Sequence, residues 1–223
     1  MGTGLAIENW GVGEYFLDYE KAWAKQRELH KKVVSGESPP TLIFVEHESV
    51  FTAGSQTQPM DRPIDGSKVI DVDRGGRITW HGPGQLVGYP IIALRERFNV
   101  VGFVRSLESA IIDSCAEFGL DAIRIKGKSG VWVDAEPARK VAAIGIRVAS
   151  GVSMHGFAIN CNNDLSWYDR IVPCGIPDAK VTTLSVETKR PITTSEVQKV
   201  VQEKLQISLA DLVQTSSPIG SRV

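Results

Sequence analysis

Four short β-rich segments, at 122–125, 130–133, 141–148 and 156–160, follow one another with only turns between them, marked by Gly127 and by Glu136-Pro137. Strands that arrive as a consecutive group, with helices at intervals, do not match the strict alternation of a doubly wound sheet. They predict an α+β domain with a mixed β-sheet flanked by helices. The helices are set by apolar spacing: residues at three- and four-residue steps predict one over 15–34, carrying Tyr15, Tyr19, Ala22 and Trp23, and another over 101–118 that ends at Gly119. A third is expected over 194–209, with Thr194 or Ser195 as its cap. Further strands are expected at 5–10, at 41–47, whose almost unbroken apolar character suits a buried position, and at 86–94. The glycine- and proline-rich stretch 51–76 predicts loop around one short strand at 69–72. Residues 1–212 are expected to form a single catalytic domain and 213–223, with SSPIGSRV at its end, a disordered tail.

Composition excludes several function classes. The 25 basic and 26 acidic residues nearly cancel, so no global field favours nucleic acid or an anionic membrane. The stretch 86–94 is too short to span a bilayer, and no basic segment followed by a long apolar run opens the chain as a secretory signal would. Three cysteines at wide spacing, Cys115, Cys161 and Cys174, argue against a disulfide framework and for a reducing compartment. The four histidines are scattered and no C-x-x-C occurs, so no metal site is expected. A cytoplasmic monomer is the expectation.

Three segments carry chemistry. RGGRITWHGPGQ at 74–85 holds four glycines and a proline between arginines, a threonine and a histidine. Glycines let backbone N–H groups come close to a ligand, yet the spacing fits neither dinucleotide nor phosphate-loop patterns, and a tight inter-strand loop explains it equally well. In RKVAAIGIR at 139–147, Lys140 opens a β-run of small and apolar residues. Partial desolvation there would lower its pKa and let it exchange protons near neutrality, although a solvated lysine at a strand end is the simpler reading. In HGFAINCNND (155–164) and IVPCGI (171–176), Cys174 is framed by proline and glycine. A helix beginning within 178–186, together with a cation, would depress its pKa; taken alone it reads as an ordinary turn cysteine. Cys115 falls on the apolar stripe of the second helix, and Cys161 follows a strand, so both read as structural.

Taken together, and in order, RGGRITWHGPGQLVGYP, a lysine followed by AAIGIR, HGFAINCNNDL and IVPCGI resemble the octanoyltransferases of protein lipoylation; EHESVFTAG and VTTL extend the resemblance over nearly the whole chain. The resemblance implies a fold shared with the biotin and lipoate protein ligase catalytic domains. It implies that octanoyl-acyl carrier protein donates its acyl chain from phosphopantetheine, with no further cofactor. The acceptors it implies are specific lysines of lipoyl domains in 2-oxoacid dehydrogenase complexes and of the glycine cleavage H protein. Carried over by motif, Cys174 matches the acyl-thioester nucleophile and Lys140 the lysine that activates it. Arg74, Gly75, Gly76, Arg77, Ile78, Thr79, Trp80 and His81 match one substrate-binding loop. Ala143, Ile144 and Gly145 match a second, and Gly156, Phe157 and Ala158 a third. His81 would orient donor or water instead of acting as the main base. The alternatives are an ATP-dependent lipoate or biotin protein ligase, a cysteine hydrolase, and a non-catalytic acyl-binding module. Because acyl carrier proteins and lipoyl domains are usually acidic, Arg124, Lys126, Lys128, Arg139 and Arg147 are candidates for a local docking patch.

Overall fold

A computed structural model describes residues 5–96, 99–172 and 180–214. Among these the main sheet has eight strands: β1 (Ala6–Asn9), β2 (Thr41–Val45), β6 (Gln85–Ile91), β7 (Ala122–Ile125), β8 (Lys128–Val133), β9 (Arg139–Ala149), β10 (Val152–Asn160) and β11 (Lys180–Val181). They run in the order β1-β2-β6-β10-β9-β8-β7, and β11 pairs with β9. The β1–β2 and β9–β11 pairs are parallel and the others antiparallel, which is the mixed sheet expected. Helix α1 (Tyr19–Ser35) packs on one face, over Val45, Val87, Tyr89 and Ala158. Helices α2 (Val100–Glu117) and α4 (Thr194–Ser208) cover the other, over Phe44, Leu86, Phe157 and Ile159. With both faces covered, every residue of β2, β6 and β10 is buried, so these strands lack hydrophobic-polar alternation.

A small second sheet, β4-β3-β5, is built from β3 (Val50–Ala53), β4 (Val69–Asp71) and β5 (Thr79–His81). Only β4 was expected from sequence. The other two are four and three residues long, too short to show a period.

Other boundaries move for identifiable reasons. Asp18 caps α1 by accepting from the Lys21 N–H at 2.9 Å, so the helix begins at Tyr19 and not at 15. Tyr15 and Phe16 remain about half exposed before it. The cap of α4 is Thr193, not Thr194 or Ser195: a capping box joins it reciprocally to Glu196. The helix expected to begin within 178–186 is the short α3 (Leu184–Thr188), capped by Thr183 and preceded by β11, while 178 and 179 lie outside the described residues. Val213, assigned from sequence to the tail, is fully buried and bridges to Leu94, and the Gln214 N–H donates to Ala93 O at 2.9 Å. The packed domain therefore reaches Gln214. Among the described residues no helix is long and apolar enough to cross a membrane.

Candidate active site

The small sheet delivers one loop onto the main sheet, and a cavity of about 240 Å³ lies beside the contact. The Gly75 N–H donates to Ile146 O of β9 at 3.0 Å. The Arg74 guanidinium locks the loop from within: Nη2 donates to Thr52 O (2.8 Å) and Oγ1 (3.0 Å), and Nη1 to Arg77 O (2.9 Å) and Gly75 O (3.1 Å). Gly145 permits this close approach, since a Cβ there would lie 3.0 Å from Gly75 O. Arg74 thus holds the wall of the site together as well as lining it.

The cavity brings together Arg74, Gly76, Arg77, Thr79, His81, Lys140, Ala143, Ile144, Gly145, Gly156, Phe157 and Ala158, three sequence segments that meet only in the fold. Gly75, Ile78 and Trp80 do not line it. In extended chain, successive side chains point to opposite sides, so Thr79 and His81 face the cavity while Ile78 and Trp80 face away. Ile78 is fully buried against Phe51 and Trp80, and the Trp80 ring stacks on Trp167 with centroids 5.9 Å apart. Cys174 lies outside the described residues. The cavity also takes in Tyr19, Val87, Tyr89 and His155, which were not singled out from sequence as binding residues. Their signal was available: each of the last three lies on a fully buried strand, and Tyr89 and His155 carry polar atoms there.

A register shift turns Lys140 toward the cavity. Val131 pairs with Ala142, but Trp132 pairs with Lys140, which leaves Val141 as one extra residue on β9. Such a bulge resets alternation, so Lys140 and Ala143 share the cavity side while Val141 and Ala142 both enter the core beneath α2. Lys140 is only 6% exposed. Its Nζ sits 4.5 Å from the centroid of the Trp132 ring, its cross-strand partner. On its other flank the Thr182 N–H donates to Lys140 O at 2.9 Å.

The same cavity is also lined by members of a buried group of polar aromatics. His81 stacks on Tyr19 at 5.9 Å, and its Nδ1 is 2.7 Å from Gln85 Oε1. The Gln85 amide donates to Asn160 Oδ1 and to the Tyr168 hydroxyl, so its oxygen faces His81 and must accept from an Nδ1–H. Burial, with the neighbouring His47 and Arg74, lowers the His81 pKa to about 3. The ring is therefore neutral and its Nε2 is a bare acceptor. His47 is likewise lowered to about 4 by burial, with Nδ1–H donating to Leu17 O at 2.8 Å and Nε2 accepting from the Tyr89 hydroxyl at 2.7 Å. His155 adopts a left-handed backbone, φ 58°, and its Nε2 lies 2.7 Å from Asp73 Oδ1, a carboxylate that also pairs with Arg147.

Three cations of the suggested docking patch have carboxylate partners within the chain. Arg124 binds the buried Glu108 at 3.1 Å, Arg139 forms a two-pronged pair with Glu187 at 2.7 and 2.8 Å, and Arg147 pairs with Asp73. Lys126 and Lys128 flank Gly127 at the β7–β8 turn, which overhangs the cavity. Both described cysteines are buried and inert: burial pushes the Cys115 thiol up to about 12 and raises that of Cys161 as well.

Residues 18–206 match the lipoyl protein ligase A/B catalytic domain. The chain is 60% identical over 192 residues to an octanoyltransferase of Salinispora arenicola, a span covering 85% of this chain and 90% of that one. Against an octanoyltransferase of Mycobacterium tuberculosis the identity is 52% over 207 residues, or 93% and 88% of the two chains. Among solved structures, the bipartite lipoate protein ligase of Thermoplasma acidophilum superposes with a TM-score of 0.67 over 94% of this chain and 84% of that chain. At 15% identity, that likeness speaks for the fold alone.

Proposed function

The chain belongs to the lipoyl protein ligase A/B catalytic-domain family, and on that premise we propose that it is an octanoyltransferase acting in lipoate biosynthesis, with Cys174 and Lys140 as its working pair. The observation that carries this reading is the bulge at Val141, which presents an almost buried lysine amine to the same cavity as the three glycine-bearing segments. A wall of Val87, Ala143, Ile144, Phe157 and Ala158 suits a saturated acyl chain, and the carbonyl end would lie toward the polar groups.

The transfer has two balanced halves. Lys140 takes the Cys174 thiol proton; the thiolate attacks the donor's thioester carbonyl, the bond to the carrier sulfur breaks, and that sulfur recovers the proton. The carrier is acyl carrier protein, bearing the chain on phosphopantetheine. In the second half the neutral amine of a lipoyl-domain lysine attacks the acyl-Cys174 carbonyl, the Cys174 sulfur leaves, and the proton lost by nitrogen passes to Lys140. Thioester exchange is nearly isoenergetic and amide formation is downhill, so neither nucleotide nor metal is needed. Intact mass after mixing with octanoyl-carrier protein should gain one octanoyl group, lost under hydroxylamine and absent in Cys174→Ala. Product formed from octanoic acid, ATP and a lipoyl domain would overturn the transferase reading in favour of a ligase. Rapid release of free acid with acceptor present would favour a hydrolase.

A further inference from the structure

His81 is a neutral imidazole whose polarity is set by groups that cannot be reversed. Its Nδ1 lies 2.7 Å from Gln85 Oε1. The other end of that amide, Gln85 Nε2, donates to Asn160 Oδ1 and the Tyr168 hydroxyl at 2.9 Å and to Trp80 O at 3.3 Å. Asn160 is oriented in turn, because its Nδ2 donates to Thr182 O at 3.0 Å. Trp80 O and Thr182 O are backbone carbonyls and can only accept. Starting from them, each amide has one orientation: Asn160 offers oxygen to Gln85, Gln85 offers oxygen to His81, and the ring must carry its hydrogen on Nδ1. All three side chains are buried, so water does not compete for these bonds.

That leaves Nε2 with a lone pair. Among the described residues no group bonds it, yet it is not one of the unbonded polar atoms that the fold seals from solvent, and its ring lines the cavity. It is open to a ligand. The titratable groups around the ring are Tyr19, stacked on it at 5.9 Å, His47 at 6.0 Å, Arg74 and His155. None is a carboxylate that would favour imidazolium, and burial, with His47 and Arg74, lowers the His81 pKa to about 3.

A group that accepts hydrogen bonds but not protons is of no use to an amine that must shed one. It suits an N–H that keeps its hydrogen, as an amide does. The octanoyl chain and the thioester have none, whereas the pantetheine arm that delivers them carries an amide N–H two carbons from the sulfur. We propose that His81 Nε2 accepts a hydrogen bond from that amide, with Gln85 as the positioning residue that keeps the ring an acceptor. The inference rests on the octanoyl-transfer reading and adds one binding contact to its first half; no bond is made or broken at His81.

Two octanoyl-carrier proteins test the contact, one with the natural arm and one in which the amide nearest the sulfur is replaced by an ester, which keeps the shape and loses the N–H. Acyl loading is followed by intact mass. Wild-type enzyme is expected to load from the ester arm about tenfold more slowly, the loss of one hydrogen bond to a buried acceptor. His81→Phe keeps the stack on Tyr19 but has no acceptor, and it should lose most of this preference whatever its absolute rate. A variant merely damaged in structure would be slowed with both arms and keep the preference. Gln85→Leu leaves the ring in place but frees its tautomer, so it too should discriminate less, which keeps the test open if the phenylalanine variant fails to fold. Imidazole nitrogen-15 shifts read the tautomer directly: His81 should carry hydrogen on Nδ1 in wild type and shift toward Nε2–H in Gln85→Leu. Equal rates from the two arms in wild type, an undiminished preference in either variant, or Nε2–H in wild type would each overturn the assignment. Failure of wild-type enzyme to load from the natural arm would instead overturn the reaction itself.

Discussion

The Nζ of Lys140 stands over the face of Trp132, its neighbour across the β8–β9 pair, 4.5 Å from the ring centroid. The ring holds the amine in place on the cavity side without competing for its protons as a carboxylate would. Lys140→Arg preserves charge and stacking but cannot give up a proton near neutrality. It is expected to melt within a few degrees of wild type yet form the acyl adduct 10²- to 10³-fold more slowly, roughly the loss seen on removing a general base. Near-normal loading by this variant, read by intact mass over time, would remove Lys140 from the chemistry.

Gly156 lies against Gly88, and a Cβ there would come within 2.0 Å of the Gly88 carbonyl oxygen and 2.7 Å of Pro90 Cδ. The obstacle is backbone at the centre of a fully buried sheet. Gly156→Ala is expected to destabilise by about 3 kcal/mol or more, through overpacking that the strands cannot relieve. Gly66→Ala is the control: φ is +80° and nothing lies within 4 Å, so only backbone strain of about 1 kcal/mol applies. Urea midpoints of the two variants should differ accordingly; equal midpoints would contradict the packing.

His47 and His81 are buried neutral, with pKa values lowered from 6.5 to about 4 and about 3. The unfolded chain takes up protons that the native protein refuses. Their contribution to stability is therefore complete above pH 6.5 and falls as pH drops toward those lower values, by up to about 1.4 kcal/mol per pH unit for each group. Urea unfolding between pH 7 and 5, above most carboxylate titration, should show this decline; a flat profile would rule out buried neutral imidazoles.

With Arg124, Arg139 and Arg147 paired to carboxylates of the same chain, Lys126 and Lys128 at the β7–β8 turn are the remaining candidates for a carrier-docking surface under the proposed function. Lys126→Glu with Lys128→Glu should raise KM for octanoyl-carrier protein severalfold and flatten its salt dependence, with little change in melting temperature. Unchanged steady-state kinetics across a salt series would reject this surface.

The mixed sheet and its flanking helices were legible from strand grouping and apolar spacing, whereas the convergence of three segments followed only from the family resemblance of their ordered motifs. Side-chain direction was less so. Strict alternation along Lys140-Val141-Ala142-Ala143 would set Lys140 and Ala143 on opposite faces; the bulge that joins them depends on the partner strand and leaves no local mark. Ile78 and Trp80 were grouped with Thr79 and His81 because a motif is read as contiguous, whereas a strand divides it by parity. Thr193 was missed although Thr193-Thr194-Ser195-Glu196 spells a capping box, whose spacing selects the first threonine. Val213 looked like tail because it opens onto the polar run Gln214 to Ser217, and one residue past the last helical apolar positions carries no period of its own.

Ala158 lies between Ala143 on one side and Val87 on the other, three register partners across the floor of the cavity. Two methyl-bearing side chains and a valine, mounted on three adjoining strands, would set the depth open to an acyl tail under the function proposed above. On that reading, a change in the length of the fatty chain would act through the size of these three residues, one methylene at a time.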